Sequence, residues 1–287
     1  TWKGFIAKYD ESNRIVRKMM RVSAKVAAAS RAAEGLRDAA CDPGPDASEP
    51  DPAPAARLLE ESRTELWRGQ CNCAYWHGIF GGLYLPHLRS AVYHHLIRAE
   101  NLVDAVRGRR WDSAEVTDHD LDGADEVLLE SHWANAYVAP SRGGTLFEID
   151  ARSSATNLLA TMSRYEEAYH DLLALASDGS GGSVTNIPDA VRAKEKGLGR
   201  LARPDREPRR SAVDRFFATD ACAEGGAESG SGSGPEDAGS FAGAPYRFRL
   251  ARENGAVGVV MAAEGTVTLG GRSLPVSVGK SVWLSPD

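Results

Sequence analysis

Positive charge is in short supply: 34 lysines and arginines stand against 40 aspartates and glutamates in 287 residues, a formal charge of −6. No basic face is broad enough to neutralise a row of phosphates, so nucleic acid is not expected as a partner. Long apolar runs are missing as well; nothing approaches the about 18 consecutive apolar residues of a membrane span, which argues against a membrane partner. The opening TWKGFIAKYD has neither a charged n-region nor a cleavage signature, and it has no initiator Met, which creates the expectation of an internal piece of a longer protein. Cysteine is sparse: Cys41, Cys71, Cys73 and Cys222, with Cys71 and Cys73 too close to bridge each other. That usage fits a reducing cytoplasm. G-x-S-x-G, a Walker loop, H-E-x-x-H and a dinucleotide fingerprint are all absent, and no cofactor is expected.

The chain does hold enough apolar residues, 42% against 26% charged, for a sizeable core and for two domains of ordinary size. Ile15, Met19, Val22 and Val26 are spaced four, three and four apart, one stripe of a helix that starts near Asp10, a suitable N-cap. The segment CDPGPDASEPDPAPA then crowds five prolines together. Lacking a backbone N–H, they cannot continue a helix, so the segment reads as a solvated connection. A second helix resumes near Ala55 through Leu58, Leu59 and Leu66 and is expected to run on to His77, with Gly78 as its stop. A third begins at Pro86 and aligns Leu88, Val92, Leu96, Ala99 and Val103.

Beyond about Asp112 the period changes from helical to alternating. Phe147, Ile149 and Ala151 alternate with Glu148, Asp150 and Arg152, and Tyr246, Phe248 and Leu250 alternate with Arg247, Arg249 and Ala251, the pattern of half-buried antiparallel strands. Asn254-Gly255 sits between two such runs as a hairpin signal, and Gly270-Gly271 repeats it. The stretch ACAEGGAESGSGSGPEDAGSFAGA is too poor in large apolar residues to offset its ordering entropy and reads as an insertion. The expected fold is therefore α+β and multidomain. A small three-helix bundle occupies 1–111, with its Pro-rich connection at 41–56. An antiparallel β-sandwich follows over 112–287, with a Gly/Ser-rich insertion at 218–245 and its last sheet cut short at Asp287.

The chemistry concentrates in RGQCNCAYWHGIFGGLYLPHLRSAVYHH, Arg68 to His95. On a helix, Gln70, Cys73 and His77 would share one face, with Asn72 and Trp76 on an adjacent one. Amides and imidazole hydrogen-bond sugar hydroxyls, and a flat indole covers the apolar face of a sugar ring. The competing reading makes Tyr75 and Trp76 core aromatics and His77 a satisfied helix-end residue. Cys71, Cys73 and His77 are zinc-ligand types, but their C-x-C has no partner knuckle, so no metal is assigned. DHDLDGADEVLLE opens like a calcium loop with Asp118, Asp120, Asp122 and Gly123, yet its twelfth position is Leu129 where a bidentate Glu is required, so a turn into a strand is expected. Arg142-Gly143-Gly144 reads as a glycine turn. Of His94 and His95 on the third helix, one is expected to face solvent and one the bundle, and neither is assigned to catalysis.

Taken together, YDESNRIVRKMM, RGQCNCAYWHGIFGGLYLPHLRSAVY, DLDGADEVLLES, PSRGGTLFEIDARSSATNLL and RRSAVDRFF resemble the C-terminal part of glycoside hydrolase family 57, in its 4-α-glucanotransferase and α-amylase branch. The resemblance covers nearly the whole chain apart from the Pro-rich connection and the Gly/Ser insertion. It implies a longer enzyme acting on α-1,4-glucans and maltooligosaccharides, with an N-terminal barrel that carries the catalytic Glu and Asp and is missing from this sequence. No residue here is then catalytic, and the chain alone is expected to be inactive. Gln70, Asn72, Cys73, Tyr75, Trp76 and His77 become the substrate-binding candidates. The family pattern has Asn-Asp-Ala-Tyr-Trp-His where this chain has Asn72-Cys73-Ala74-Tyr75-Trp76-His77, so Cys73 replaces a carboxylate with a weak thiol donor and acceptor.

Overall fold

The computed structural model describes residues 1–39, 53–78, 80–106, 108, 112–167, 170, 204–205, 207–218 and 236–285. Most of the Pro-rich connection and of the Gly/Ser-rich insertion, with Cys41 and Cys222, lie outside the described residues. Two units are present, Thr1–Ala160 with Arg210–Asp287, and Thr161–Arg209. In the smaller one, Asp205 gathers Arg164 at 2.5 Å and Arg209 at 2.8 Å.

The larger unit begins with helix α1 (Trp2–Lys8), whose orphan Gly4 N–H is taken by the Thr1 side chain at 3.2 Å. Helix α2 (Asp10–Ala39) follows, and Ile15, Val22 and Val26 are buried as their spacing predicts. Lys18 lies fully buried among them, three residues after Ile15 and four before Val22 and so on the same face of the helix, although it is charged. Helix α3 (Ala53–Gly69) is shorter than expected. It stops eight residues before His77, at Gly69, whose carbonyl accepts from the Tyr75 hydroxyl instead of from a further helical turn; Gly69 also packs closely on the next helix, where a Cβ would lie 2.6 Å from Leu96 Cδ2. The chain then leaves helical geometry for a 3-10 turn at Asn72–Ala74. Helix α4 (Pro86–Val106) carries proline in its first turn, where no N–H is needed, and buries Val92, Leu96, Ala99 and Val103. Helices α2, α3 and α4 pack on one another as a three-helix bundle.

Eight strands make two antiparallel sheets among the described residues. The first runs in sequence order through β1 (Ser113–Thr117), β2 (Glu126–Glu130), β3 (Ala134–Ala139), β4 (Thr145–Ala151) and β5 (Thr156–Asn157). The second holds β6 (Arg247–Glu253), β7 (Ala256–Leu269) and β8 (Arg272–Leu284). Asn254 and Gly255, with φ of 51° and 84°, turn β6 into β7, and Gly270 and Gly271, at 57° and 75°, turn β7 into β8. Both hairpins are those the sequence signals, because a two-residue turn with two positive φ angles suits glycine and asparagine. Val127, Leu129, Ala136 and Val138 of the first sheet share a core with Val257, Val259 and Met261 of the second, the packing of a β-sandwich.

The opposite face of the first sheet is also buried, and there the structure departs from the alternation rule. Glu148 and Asp150 are completely buried instead of facing water. Asn135 and Tyr137 stand opposite them on β3, and a register shift next to Tyr137 leaves Phe147 as an extra residue. Onto this polar face comes Lys18 of α2, 2.6 Å from Asp150, 3.0 Å from Glu148 and 3.2 Å from Glu100 of α4. The bundle thus meets the sheet through buried charge.

Candidate functional site

The turn that leaves α3 is anchored from behind. The Tyr75 phenol donates to the Gly69 carbonyl at 2.5 Å, and the Ser12 hydroxyl of α2 donates to the Tyr75 carbonyl at 2.5 Å. Burial, with Cys71 adding to it, pushes the Tyr75 phenol well above its ordinary value, so it stays a neutral donor. His77 stands in a box of rings, with centroids 4.7 Å from Tyr9, 4.9 Å from Tyr84 and 5.3 Å from Phe5. The Trp76 carbonyl accepts from Leu83 N at 2.8 Å. Gly82, at φ 45°, lets the second 3-10 turn (Gly82–Tyr84) come this close, since a Cβ there would collide with the same carbonyl.

With those contacts fixed, the other side chains of the turn face outward. Gln70, Asn72 and Cys73 are exposed, and Trp76 keeps 48% of its surface in solvent. Cys73 Sγ lies 3.6 Å from Asn72 Oδ1, and Gln70 Nε2 lies 3.7 Å from Met19 Sδ. The six residues singled out by sequence therefore divide into an outward set, Gln70, Asn72, Cys73 and Trp76, and an inward pair, Tyr75 and His77. Helical spacing did not find this division, because the segment is not a helix. Phe80, 91% exposed a few residues on, was not singled out, nor were Phe5, Tyr9 and Tyr84, whose rings enclose His77. Their signal lies in aromatics far apart in sequence, which periodicity does not connect.

Chemically, an exposed indole beside an amide and a thiol on a rigid turn can cover a sugar ring and hydrogen-bond its hydroxyls. Neither paired carboxylates nor a nucleophile–base couple is part of the turn. His95 on α4 is held by Glu65 of α3, with Nδ1 2.7 Å from Oε2, and serves the bundle.

The acidic loop before β2 folds as a turn: Asp118 accepts from Asp122 N at 3.0 Å and from Gly123 N at 3.1 Å. Leu129, its twelfth position, is buried in the sandwich core. One oxygen each of Asp118, Asp120 and Glu126 lies within 4.8 Å of the others, a trio that could hold a cation. Burial, then repulsion from Asp120, pushes Glu126 up to about 7. Positive charge already reaches this corner from Arg142, 3.3 Å from Asp120 and paired with Asp122.

Among the described residues no helix is long and apolar enough to cross a membrane. Two family models match the chain: the C-terminal domain of alpha-amylase/4-alpha-glucanotransferase over residues 118–287, and the middle domain of the same family over residues 49–103. An alpha-amylase 1 of Dictyoglomus thermophilum is 37% identical over 216 residues, 75% of this chain and 27% of that protein. A 4-alpha-glucanotransferase of Thermococcus kodakarensis is 34% identical over 199 residues, 67% of this chain and 25% of that protein. The crystal structure of 4-alpha-glucanotransferase from Thermococcus litoralis superposes with a TM-score of 0.67 at 26% identity, covering 99% of this chain and 34% of that one. The chain thus spans about a quarter of the length of the curated relatives it matches. With its sandwich matched from residue 118 onward and its bundle matched before that, the chain belongs to the alpha-amylase/4-alpha-glucanotransferase family, of which it carries the middle and C-terminal domains.

Proposed function

We propose that this chain is the bundle and sandwich of a longer retaining enzyme acting on α-1,4-glucans, a 4-α-glucanotransferase in preference to a hydrolase. In this reading the turn from Gln70 to Gly78 forms the rim of an active site whose two carboxylates lie in a barrel outside this sequence. Retaining chemistry makes a covalent glycosyl-enzyme that water or a second sugar resolves. The bundle's part is to hold glucan while another domain performs the chemistry. The domain boundary near residue 112, the maltooligosaccharide ligands and a cytoplasmic setting, the last supported by cysteine usage, belong to the same proposal.

The observation that carries it is the half-exposed indole of Trp76 on a turn pinned from behind by Tyr75, Ser12 and the ring box around His77. A platform fixed in this way loses little entropy when a sugar binds, and an aromatic acceptor site that displaces water favours transfer over hydrolysis. Cys73 supports a second reading, a non-catalytic carbohydrate-binding protein, because the thiol stands where the family pattern has a carboxylate.

Cys73→Asp in the barrel-bearing protein tests the rim. Cys73 is exposed, so a carboxylate there meets no desolvation cost. A hydrogen bond to a charged group is worth roughly 1.5–3 kcal/mol, so activity on maltoheptaose should rise by about tenfold or more. A folded variant with unchanged kcat/KM would show that position 73 does not touch substrate. Absence of activity in both proteins would favour the binding-protein reading.

A further inference from the structure

A concave site lies at the far end of α4 from the Trp76 turn, a cavity of about 410 Å³ between the C-terminal end of that helix and the β2–β3 connection. Trp133 forms one wall with 41% of its surface exposed, and its indole N–H is spent on the Ser285 carbonyl at 2.7 Å, which fixes the ring. The polar wall holds itself rigid. Arg152, which is buried, donates to Asn101 Oδ1 at 2.7 Å, to the Ser131 carbonyl at 2.9 Å and to Asp104 Oδ2 at 2.5 Å, and Asn101 Nδ2 returns a hydrogen bond to the Arg152 carbonyl at 2.8 Å.

One group in this arrangement is left over. Asp104 is 94% removed from solvent by its 6% exposure, and its Oδ1, itself almost without exposed surface, has no hydrogen-bond partner among the described residues. A buried carboxylate oxygen without a donor is costly, so a lining residue that holds one just beneath the cavity wall would gain from a donor that a ligand presses against that wall. His132, exposed beside Trp133, adds a further hydrogen-bonding group at the mouth. The ionic partner of Asp104 is already in place, so the site has no net charge to offer a phosphate or an ammonium. A preset indole face, a hydroxyl acceptor and a neutral overall balance match a pyranose ring.

We infer that the cavity between Trp133 and Asp104 is a carbohydrate-binding site separate from the Trp76 rim, in which a sugar ring stacks on Trp133 and donates a hydroxyl toward Asp104. That the sugar is an α-glucan rests on the proposed function. The site tethers polymeric substrate to the sandwich side of the molecule while a second stretch of the same polymer occupies the rim.

Calorimetric titration of this 287-residue chain with maltoheptaose tests the assignment, using Trp133→Ala, Ala105→Leu and Trp76→Ala. Ala105 is exposed and lines the cavity, so leucine there narrows the site without removing anything that supports the fold. Trp133→Ala and Ala105→Leu should each weaken binding to the cavity by about tenfold or more, while Trp76→Ala leaves that binding in place. Should Trp133→Ala fail to fold, Ala105→Leu decides alone. Wild-type affinity in folded Ala105→Leu, no binding by the wild-type chain, or loss of all binding in Trp76→Ala would each overturn the inference. Binding that depends on Trp133 and Ala105 but is indifferent to Trp76 supports it even if the rim reading fails.

Discussion

Lys18 is a charged side chain that its place on the helix carries into the interior. Against the cost of complete burial, Asp150, Glu100 and Glu148 raise its pKa well above the ordinary lysine value, and it remains charged. Around it, Lys25 and Arg21 reach Glu100 and Glu130, and the Tyr137 hydroxyl donates to Glu130 at 2.9 Å. Lys18, Arg21 and Lys25 thus balance Glu100, Glu130 and Asp150, leaving Glu148 as the surplus carboxyl. Burial pushes Glu148 up to about 8, with Lys18 opposing and the neighbouring Asp150 adding to the rise. A carboxyl whose folded pKa exceeds its ordinary 4.5 keeps a proton that the unfolded chain releases. Its contribution to stability is therefore fully present below about pH 4.5, declines as pH rises toward 8, and is flat above. Glu148→Gln keeps the neutral shape and removes the titration. The stability of the variant relative to wild type should accordingly climb between pH 5 and pH 8, by up to about 1.4 kcal/mol per pH unit, and its melting temperature should rise with it. A constant difference across that range would show that Glu148 is ionised in the folded protein. Glu126 and His119 also titrate at shifted values, but they are common to both proteins and cancel in the difference.

At the scale of elements, what was legible in the sequence was local. The Asn254-Gly255 and Gly270-Gly271 turns and Pro86 at the head of α4 depend on the backbone preferences of one or two residues, and the structure has them where the sequence places them. The apolar stripe of α2 was legible for the same reason. What was not legible was settled by distant partners. Glu148 and Asp150 read as solvent-facing because alternation counts charge as exposure, and nothing near them in sequence announces Lys18, more than a hundred residues away. The end of α3 is the same kind of case. Its amphipathic pattern continues, but the Gly69 carbonyl is taken by the Tyr75 hydroxyl, Gly69 packs against Leu96 of α4, and the chain turns there. Gly69→Ala should improve intrinsic helix propensity by about 1 kcal/mol and yet destabilise the protein, because overpacking a buried contact costs about 1–3 kcal/mol. A lowered urea midpoint at unchanged m-value is the expected result. A raised midpoint would mean that α3 and α4 separate easily enough to admit the methyl group.

Across the whole molecule, the first sheet has two buried faces of opposite character, apolar toward the second sheet and ionic toward the bundle. An apolar face tolerates sliding of similar side chains, whereas Lys18 satisfies Asp150, Glu148 and Glu100 only in one register. The bundle is thereby set on the sheet at a fixed position, and the Trp76 turn, tied to α2 through Ser12 and to α3 through Gly69, inherits that placement. Of the candidate site, the sequence offered the residue types that raise the expectation of a sugar, whereas which of them face outward depends on the turn's long-range anchors. The central claim is that the outward indole of Trp76 holds an acceptor glucan, and its most direct test is Trp76→Ala in the barrel-bearing protein. Transfer and hydrolysis products from maltoheptaose are measured together with thermal unfolding. The account predicts an unchanged melting temperature and a transfer rate reduced several-fold more than hydrolysis, since the acceptor loses its platform while water gains access. Equal loss of both activities with a lowered melting temperature would contradict it and make Trp76 a support of the turn instead of a platform for glucan.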